Sequence, residues 1–332
     1  MATPIGWFVH IQGMTESSVL VAGEALVDMF PTTGGRLADV ETFRRAAGGA
    51  PANVAVGMAR LGAAPLLWTR LGDDPFGTHL EDVLAENGVH SEFIVQDTDG
   101  KTAHTLVADD PNADQSFTFY RDGTATFAME PGTVPDEVLA DIEWVHFGGV
   151  MLSSEPSRTA MFDLVERAQA QDCLVSFDPN TRPDLWPDTS DLEATTRKAL
   201  EYADVVKTDR DDLSFLLEDP ADIAAVAATI CEYGPHTVLL TRGGEGAYAR
   251  ATADAPWGEA SVEHPGFDVE VVETTGAGDA FFTGSIIGLR ETGSLAAAVE
   301  FANAVGALAT TETGAMAGLP DRTAVESLLD GS

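Results

Sequence analysis

The run Glu270–Leu289, EVVETTGAGDAFFTGSIIGL, holds the residue types best suited to chemistry. A β-type stretch ends at Thr274 and Thr275, the small residues Gly276, Ala277 and Gly278 follow, and Asp279 opens an apolar helix. Small residues let backbone N–H groups approach an anion closely, and a helix N-terminus carries about half a positive charge. That charge keeps a first-turn carboxylate ionised, the state in which it can take a proton from a hydroxyl. Asp279 serving only as a helix cap is the plainer reading. The flanking strand and long helix favour the anion site.

Three further clusters place polar groups beside glycine or at strand ends. In AAGGAPANVAVGMARLG, residues 46–62, Gly48 and Gly49 permit unusual backbone angles or close ligand approach. Asn53 is read there as a helix-opening cap whose amide can meet a polar ligand. In SFDPNTRP, Asp178, Asn180 and Arg182 gather at the C-terminal end of an apolar strand, where open α/β sheets bind ligands. TRGGEGAY, residues 241–248, is a tight turn between two strands, and a turn alone explains its glycines. No GxxxxGK[ST], no GxGxxG after the first strand, no HExxH and no GxSxG occurs. P-loop, nicotinamide, zinc-protease and serine-hydrolase readings therefore lose their support.

These residues need a scaffold, and the hydrophobic pattern supplies one. SVLVAGEALVDMF reads as a buried strand broken at Gly23, NVAVGMARLG as a helix, PLLWTRLG as a strand, and GTHLEDVLAENG as an amphipathic helix closed by Gly88. WVHFGG, CLVSFDPN, DVVKT and HTVLLTRGG follow as strands, separated by helical runs, and two apolar helices close the chain. This βαβ rhythm with apolar strands predicts a mostly parallel sheet covered by helices on both faces. Residues 30–45 and 95–126 break the rhythm. In the second, TAHTLVA and QSFTFYR alternate around the turn-rich DDPNAD, a hairpin signature. A small β lid inserted into an α/β body formed by 17–29, 46–94 and 127–332 is the economical reading. Residues 1–16 read as an N-terminal extension, and Met14 offers a second start besides Met1.

Composition narrows the setting. The chain has 332 residues, enough for a large core, and carries 54 acidic against 18 basic side chains, a net charge of −36. Such a field repels nucleic acid and anionic membranes, which excludes both as partners. No transmembrane span or secretory signal is legible, and Cys173 and Cys231 have neither metal-ligand nor disulfide spacing. A cytoplasmic protein is expected. The acid excess points to a salt-rich cytoplasm such as that of a halophilic archaeon, where molar salt shortens the Debye length to roughly 3 Å.

The pair GGAPANVAVGMARLG and ETTGAGDAFFTG resembles, in order and separation, the two signatures of the PfkB (ribokinase-like) carbohydrate kinases. GEALVDMF, RLGDDPFG, FTFYRDGTA, FDPNTRP, DVVKTDRDDL and TRGGEGAY extend the resemblance from about Val19 to Pro320, and the text is most like fructokinases. The resemblance implies a three-layer α/β/α doubly wound fold with a β-sheet lid that often dimerises. It implies phosphorylation of fructose to fructose 6-phosphate by ATP with Mg²⁺. Asp279 would be the base, and the N–H groups of Gly276, Ala277 and Gly278 the anion hole. Asp28, Gly48, Gly49, Asn53, Arg121, Asp178 and Arg182 fall at sugar-side positions. Lys207, Thr241, Gly243, Gly246 and Asn303 fall on the nucleotide side. Where relatives carry Asn-x-x-Glu for Mg²⁺ and phosphate, this chain has Asp209 and Asp212. Glu273 replaces an Asp found before TTGAGD in relatives, some of which hold a monovalent cation nearby, so K⁺ activation is a further expectation. 2-Keto-3-deoxygluconate kinase is the nearest rival, with Arg121 and Arg182 as carboxylate clamps. A non-catalytic sugar-binding protein is the rival from another class.

Overall fold

The computed structural model describes residues 17–108, 116–217 and 222–331. The N-terminal extension and the hairpin turn DDPNAD lie outside the described residues.

The strands are β1 Val19–Ala22, β2 Leu26–Pro31, β3 Phe43–Gly48, β4 Leu66–Gly72, β5 Ile94–Asp97, β6 His104–Ala108, β7 Ser116–Tyr120, β8 Trp144–Gly148, β9 Leu174–Asp178, β10 Val205–Thr208, β11 Thr237–Thr241, β12 Ala247–Ala251 and β13 Ala260–His264. The helices are α1 Ala50–Arg60, α2 Pro75–Glu86, α3 Asp136–Leu139, α4 Ser157–Ala170, α5 Thr189–Tyr202, α6 Ile223–Cys231, α7 Ala277–Thr292, α8 Leu295–Ala309 and α9 Arg322–Asp330.

A large sheet runs β13-β12-β11-β10-β9-β8-β1-β4-β5 and is parallel except at β11–β12 and β12–β13. Its inner strands β1, β4, β8, β9, β10 and β11 are buried almost throughout because both faces are covered, whereas the edge strands β5 and β13 are partly exposed. In β1, Val19 and Val21 enter one core with α1, α7 and α8, while Leu20 and Ala22 enter the other with α4 and α5. This is a three-layer α/β/α body.

The chain leaves β1 toward β4 on one side and returns to β8 on the other. The strand ends at β1 and β8 therefore form a switch point where a crevice must open. The N-terminus of α1 fills its rim, and a Cβ on Gly23 would lie 2.4 Å from Pro51 Cγ.

The small sheet, in order β3-β2-β6-β7, is distinct from the body sheet. β2 and β3 are antiparallel, with Asp28 opposite Ala46, and β6 and β7 form the expected antiparallel pair, His104 opposite Tyr120. Several expectations need correcting. SVLVAGEALVDMF is two strands in two sheets, because the chain turns at Gly23–Ala25 out of the body. The small sheet begins at Leu26 and keeps β3 as far as Gly48, beyond the expected 30–45. β5, within the expected 95–126 insertion at Val95–Asp97, pairs with β4 in the body. The stretch before Thr274 is no strand: the backbone N–H groups of Val272 and Glu273 both donate to the Thr310 carbonyl at the end of α8, at 2.8 and 3.1 Å. Val271 and Val272, each 59% exposed, drove the β-type pattern without a sheet to enter.

Candidate active site

Helix α7 begins because the chain reverses at Gly276, which sits at φ +82 and leaves no room for a side chain: a Cβ would lie 2.8 Å from Ala315 Cβ. That left-handed residue is the helix N-cap, so Asp279 is a first-turn residue rather than the cap. Ala277 N–H donates to the Thr274 carbonyl at 3.1 Å. Among the described residues the N–H groups of Gly276 and Gly278 have no backbone acceptor, so the anion-binding end rests on these two glycines and the helix dipole.

Asp279 is buried, and its carboxyl is pushed up to about 6 chiefly by burial, against the pull of Lys207 and of a hydrogen bond from Asn53. Asn53 Nδ2 donates to Asp279 Oδ2 at 2.7 Å. Asn53 is therefore not the expected helix cap. It lies one turn inside α1, whose N-cap is Gly49 at φ +102, and its amide links the two glycine-led helices.

Lys207, at the end of β10, pairs with Asp178, at the end of β9, at 3.0 Å with both buried. Burial works against the lysine charge, but Asp178, Asp212 and Asp279 hold its pKa above the ordinary lysine value. A Cβ on Gly278 would sit 2.9 Å from Lys207 Nζ, so the ammonium lies against the start of α7.

Gly276, Gly278, Asp279, Asn53 and Lys207 line a cavity of about 290 Å³, whereas Asp178, expected on the sugar side, stands behind Lys207 and does not line it. The body supplies Glu24, Asn53, Asn180, Arg182, Lys207, Asp209, Asp212 and Asp279, and the small sheet supplies Asp28, Thr105, Phe117 and Phe119. Asp28 is buried, and burial together with Asp279 and Glu273 pushes its carboxyl up to about 7. A Cβ on Gly48 would lie 2.1 Å from Asp28 Oδ2, so glycine there is the room in which this carboxyl sits. Three buried polar atoms on the wall, Glu24 Oε2, Asn53 Oδ1 and Thr105 Oγ1, have no partner among the described residues. Orphaned buried polar atoms are costly, and a ligand with several hydroxyls would satisfy them.

The sequence profile of the pfkB family carbohydrate kinases matches residues 16–322. The chain belongs to the PfkB family. It is 35% identical to a fructokinase of Vibrio alginolyticus over 92% of this chain and 97% of that one. It is 37% identical to a fructokinase of Escherichia coli over 94% and 99%. Among solved structures, a Xylella fastidiosa fructokinase with bound ATP is similar at a TM-score of 0.83 and 33% identity, covering 95% of this chain and 98% of that one. A Vibrio cholerae fructokinase in a fructose, ADP and calcium ion bound form is similar at 0.81 and 32%, covering 95% and 99%.

Within this PfkB fold the remaining expected site residues separate. Arg182 faces the cavity with its guanidinium 5.2 Å from the Phe117 ring centre. Arg121 does not line it. Its guanidinium donates to Ser153 Oγ at 2.6 Å and to the Leu185 carbonyl, tying the end of β7 to the body beside a larger cavity of about 690 Å³. Thr241 lines a third cavity of about 260 Å³ with Arg210, Arg242 and Glu245. Gly243 and Gly246 flank the short turn between β11 and β12, and a Cβ on Gly246 would strike the His264 carbonyl at 2.0 Å, a packing reason for that glycine. Asn303 lies buried in α8 and donates to the Val299 carbonyl at 2.7 Å.

Asp209 Oδ1 accepts from the N–H groups of Asp211 and Asp212, and Asp212 Oδ1 accepts from Thr181 N–H at 2.7 Å. Among the described residues no group of three or more His, Cys, Asp or Glu is placed to hold a metal ion. Two carboxylates beside Lys207 still fit Mg²⁺ carried in on phosphates, because that ion keeps several of its waters. Glu24, Thr105, Phe117 and Phe119 were missed. The alternation of β7 puts Phe117 and Phe119 on one face, but only the small sheet's docking shows that this face meets Asp279. No helix is long and apolar enough to cross a membrane among the described residues.

Proposed function

We propose that this PfkB carbohydrate kinase transfers the γ-phosphoryl of ATP to a hydroxyl of fructose, giving fructose 6-phosphate. The observation that carries the reading is Asp279, buried at the N-terminus of α7, held by Asn53 and facing a wall of unpaired polar atoms. The sugar hydroxyl gives its proton to Asp279 as its oxygen attacks phosphorus. The N–H groups of Gly276 and Gly278 and the ammonium of Lys207 lie where negative charge gathers on the transferred group. Phosphoryl transfer is mostly positioning plus electrostatics, and one donor of this kind contributes about 3–4 kcal/mol.

Asp28, Asn53 and Arg182 bind the sugar, and the small sheet closes over it as a lid. Mg²⁺ bound to ATP would neutralise phosphate charge, with Asp209 and Asp212 holding its waters. Glu273 has one buried carboxyl oxygen unpaired and the other accepting from Gly314 N–H at 3.0 Å, which supports K⁺ near the start of α7. On the nucleotide side, Thr241, whose hydroxyl donates to the Thr208 carbonyl next to Lys207 at 3.4 Å, and the turn after it take the ATP.

The sugar-acid alternative is disfavoured by the wall itself. Arg121 is spent on Ser153 and Leu185, so Arg182 faces Glu24, Asp28 and Asp279 without the second clamp a carboxylate substrate would need. A coupled ADP-release assay at about 2–3 M KCl, to screen the acidic surface, compares fructose, 2-keto-3-deoxygluconate, ribose and adenosine. Preference for fructose is expected. Preference for the keto-acid would replace the substrate, and no turnover with any of the four would contradict the kinase reading.

A further inference from the structure

We propose that Glu24 is a specificity residue of this site: its carboxyl is protonated and donates from Oε2 to a substrate hydroxyl that does not itself react. The proposal rests on the sugar-kinase reading above and adds a residue to it.

Glu24 follows Gly23 at the end of β1, where the chain crosses from the body to the small sheet. It is 3% exposed. Its main chain is clamped by α1, for a Cβ on Gly49 would lie 2.4 Å from the Glu24 carbonyl oxygen. The backbone N–H groups of Glu24 and Ala50 lie against the carboxyl, whereas Oε2 has no partner among the described residues and the side chain forms part of the cavity wall. A buried carboxyl oxygen without a partner is paid for by function when a ligand completes it.

The protonation state follows from what faces the group. From α7 comes Asp279 and from β2 Asp28; Asp209 and Asp212 lie beyond, after β10. The cations are Arg182, after β9, and Lys207, on β10, and the lysine is already paired with Asp178. Burial and then Asp279 push the Glu24 carboxyl up to about 8, against its own backbone hydrogen bonds and Arg182. Near neutral pH the cavity thus has acceptors in Asp279 and Asn53 Oδ1 and a proton donor in Glu24. A polyol needs both kinds of partner, because each of its hydroxyls donates once and accepts.

The test is the KM of the phosphorylated sugar against pH in high salt, for wild type, Glu24→Gln and Asp28→Asn, with kcat followed separately. A single proton lost at about pH 8 raises the wild-type KM about tenfold between pH 7 and 9. Glu24→Gln keeps a neutral donor that does not titrate and should flatten that rise. Asp28→Asn should shift KM overall but keep the rise. A flat wild-type KM, or an unchanged rise in Glu24→Gln, overturns the proposal.

Calorimetry on the wild type gives a second reading should the variant fold poorly. Sugar binding at pH 8.5 should take up a proton, seen as heat that varies with the buffer's ionisation enthalpy, and no uptake would overturn the proposal. A wild type that phosphorylates none of the four substrates contradicts the sugar-kinase reading instead, a result distinct from a flat KM.

Discussion

Lys207 is buried among carboxyls, with Asp178 in direct contact and Asp212 and Asp279 close enough to raise its pKa. It is one of three lysines in the chain, with Lys101 and Lys198. Replacing it by methionine would strand Asp178 without its partner, and breaking a buried pair in this way costs about 3–5 kcal/mol. Denaturant unfolding of Lys207→Met in high salt should show a loss of that size. A loss below about 1 kcal/mol, the surface-pair range, would show that the charge is not buried in solution.

The site carboxyls also set a pH dependence. Glu24, Asp28, Asp212 and Asp279 are pushed up to about 8, 7, 7 and 6, with burial the leading cause in each. The folded protein therefore holds protons that the unfolded chain releases near its ordinary carboxyl values. Their stabilisation is full below those values and is lost as pH rises through 6 to 8. The melting temperature in high salt should fall across that window, and a rise across it would contradict the burial of this cluster.

Helices α1 and α7 carry the site between them, and their starts are set by glycine at positive φ. An alanine at Gly49 would combine φ +102 with a Cβ 2.4 Å from the Glu24 carbonyl oxygen. Strain of this kind costs about 1–3 kcal/mol, so Gly49→Ala should lower stability by that amount and raise the sugar KM, because Asn53 and Glu24 both move with the clamp. Wild-type stability and KM would show that the helix start tolerates the change.

Much of this was legible in the chain. The apolar strand runs, the helix after TTGAGD and the glycine pair before α1 each declare themselves locally. The link from Asn53 to Asp279 spans 226 residues and only the folded sheet order brings it about. Glu24 sits in a run that read as one strand, and the turn to a second sheet that exposes it to the cavity has no local mark beyond Gly23. Val271 and Val272 misled because β-branched residues signal a strand only when a sheet edge is there to receive them.

At the scale of the whole molecule, 54 acidic and 18 basic side chains leave a surface that repels itself in dilute salt. Ion pairs such as Arg167 with Asp163 and Asp136, or Arg322 with Glu291, use much of the scarce arginine and contribute little individually. We expect the melting temperature to rise steadily between about 0.1 and 1 M KCl as the screening length falls from roughly 10 to 3 Å. Full stability and activity in dilute buffer would contradict the salt-rich origin inferred from composition.

The most direct test is the turnover of Asp279→Asn with fructose and ATP, read beside sugar and ATP binding by calorimetry. Turnover should fall by about 10²–10⁴ with both ligands still bound, and the wild-type kcat should fall on the acid side near the base's own titration. Wild-type turnover in Asp279→Asn would contradict proton transfer to Asp279 and, with it, the chemistry assigned to this site.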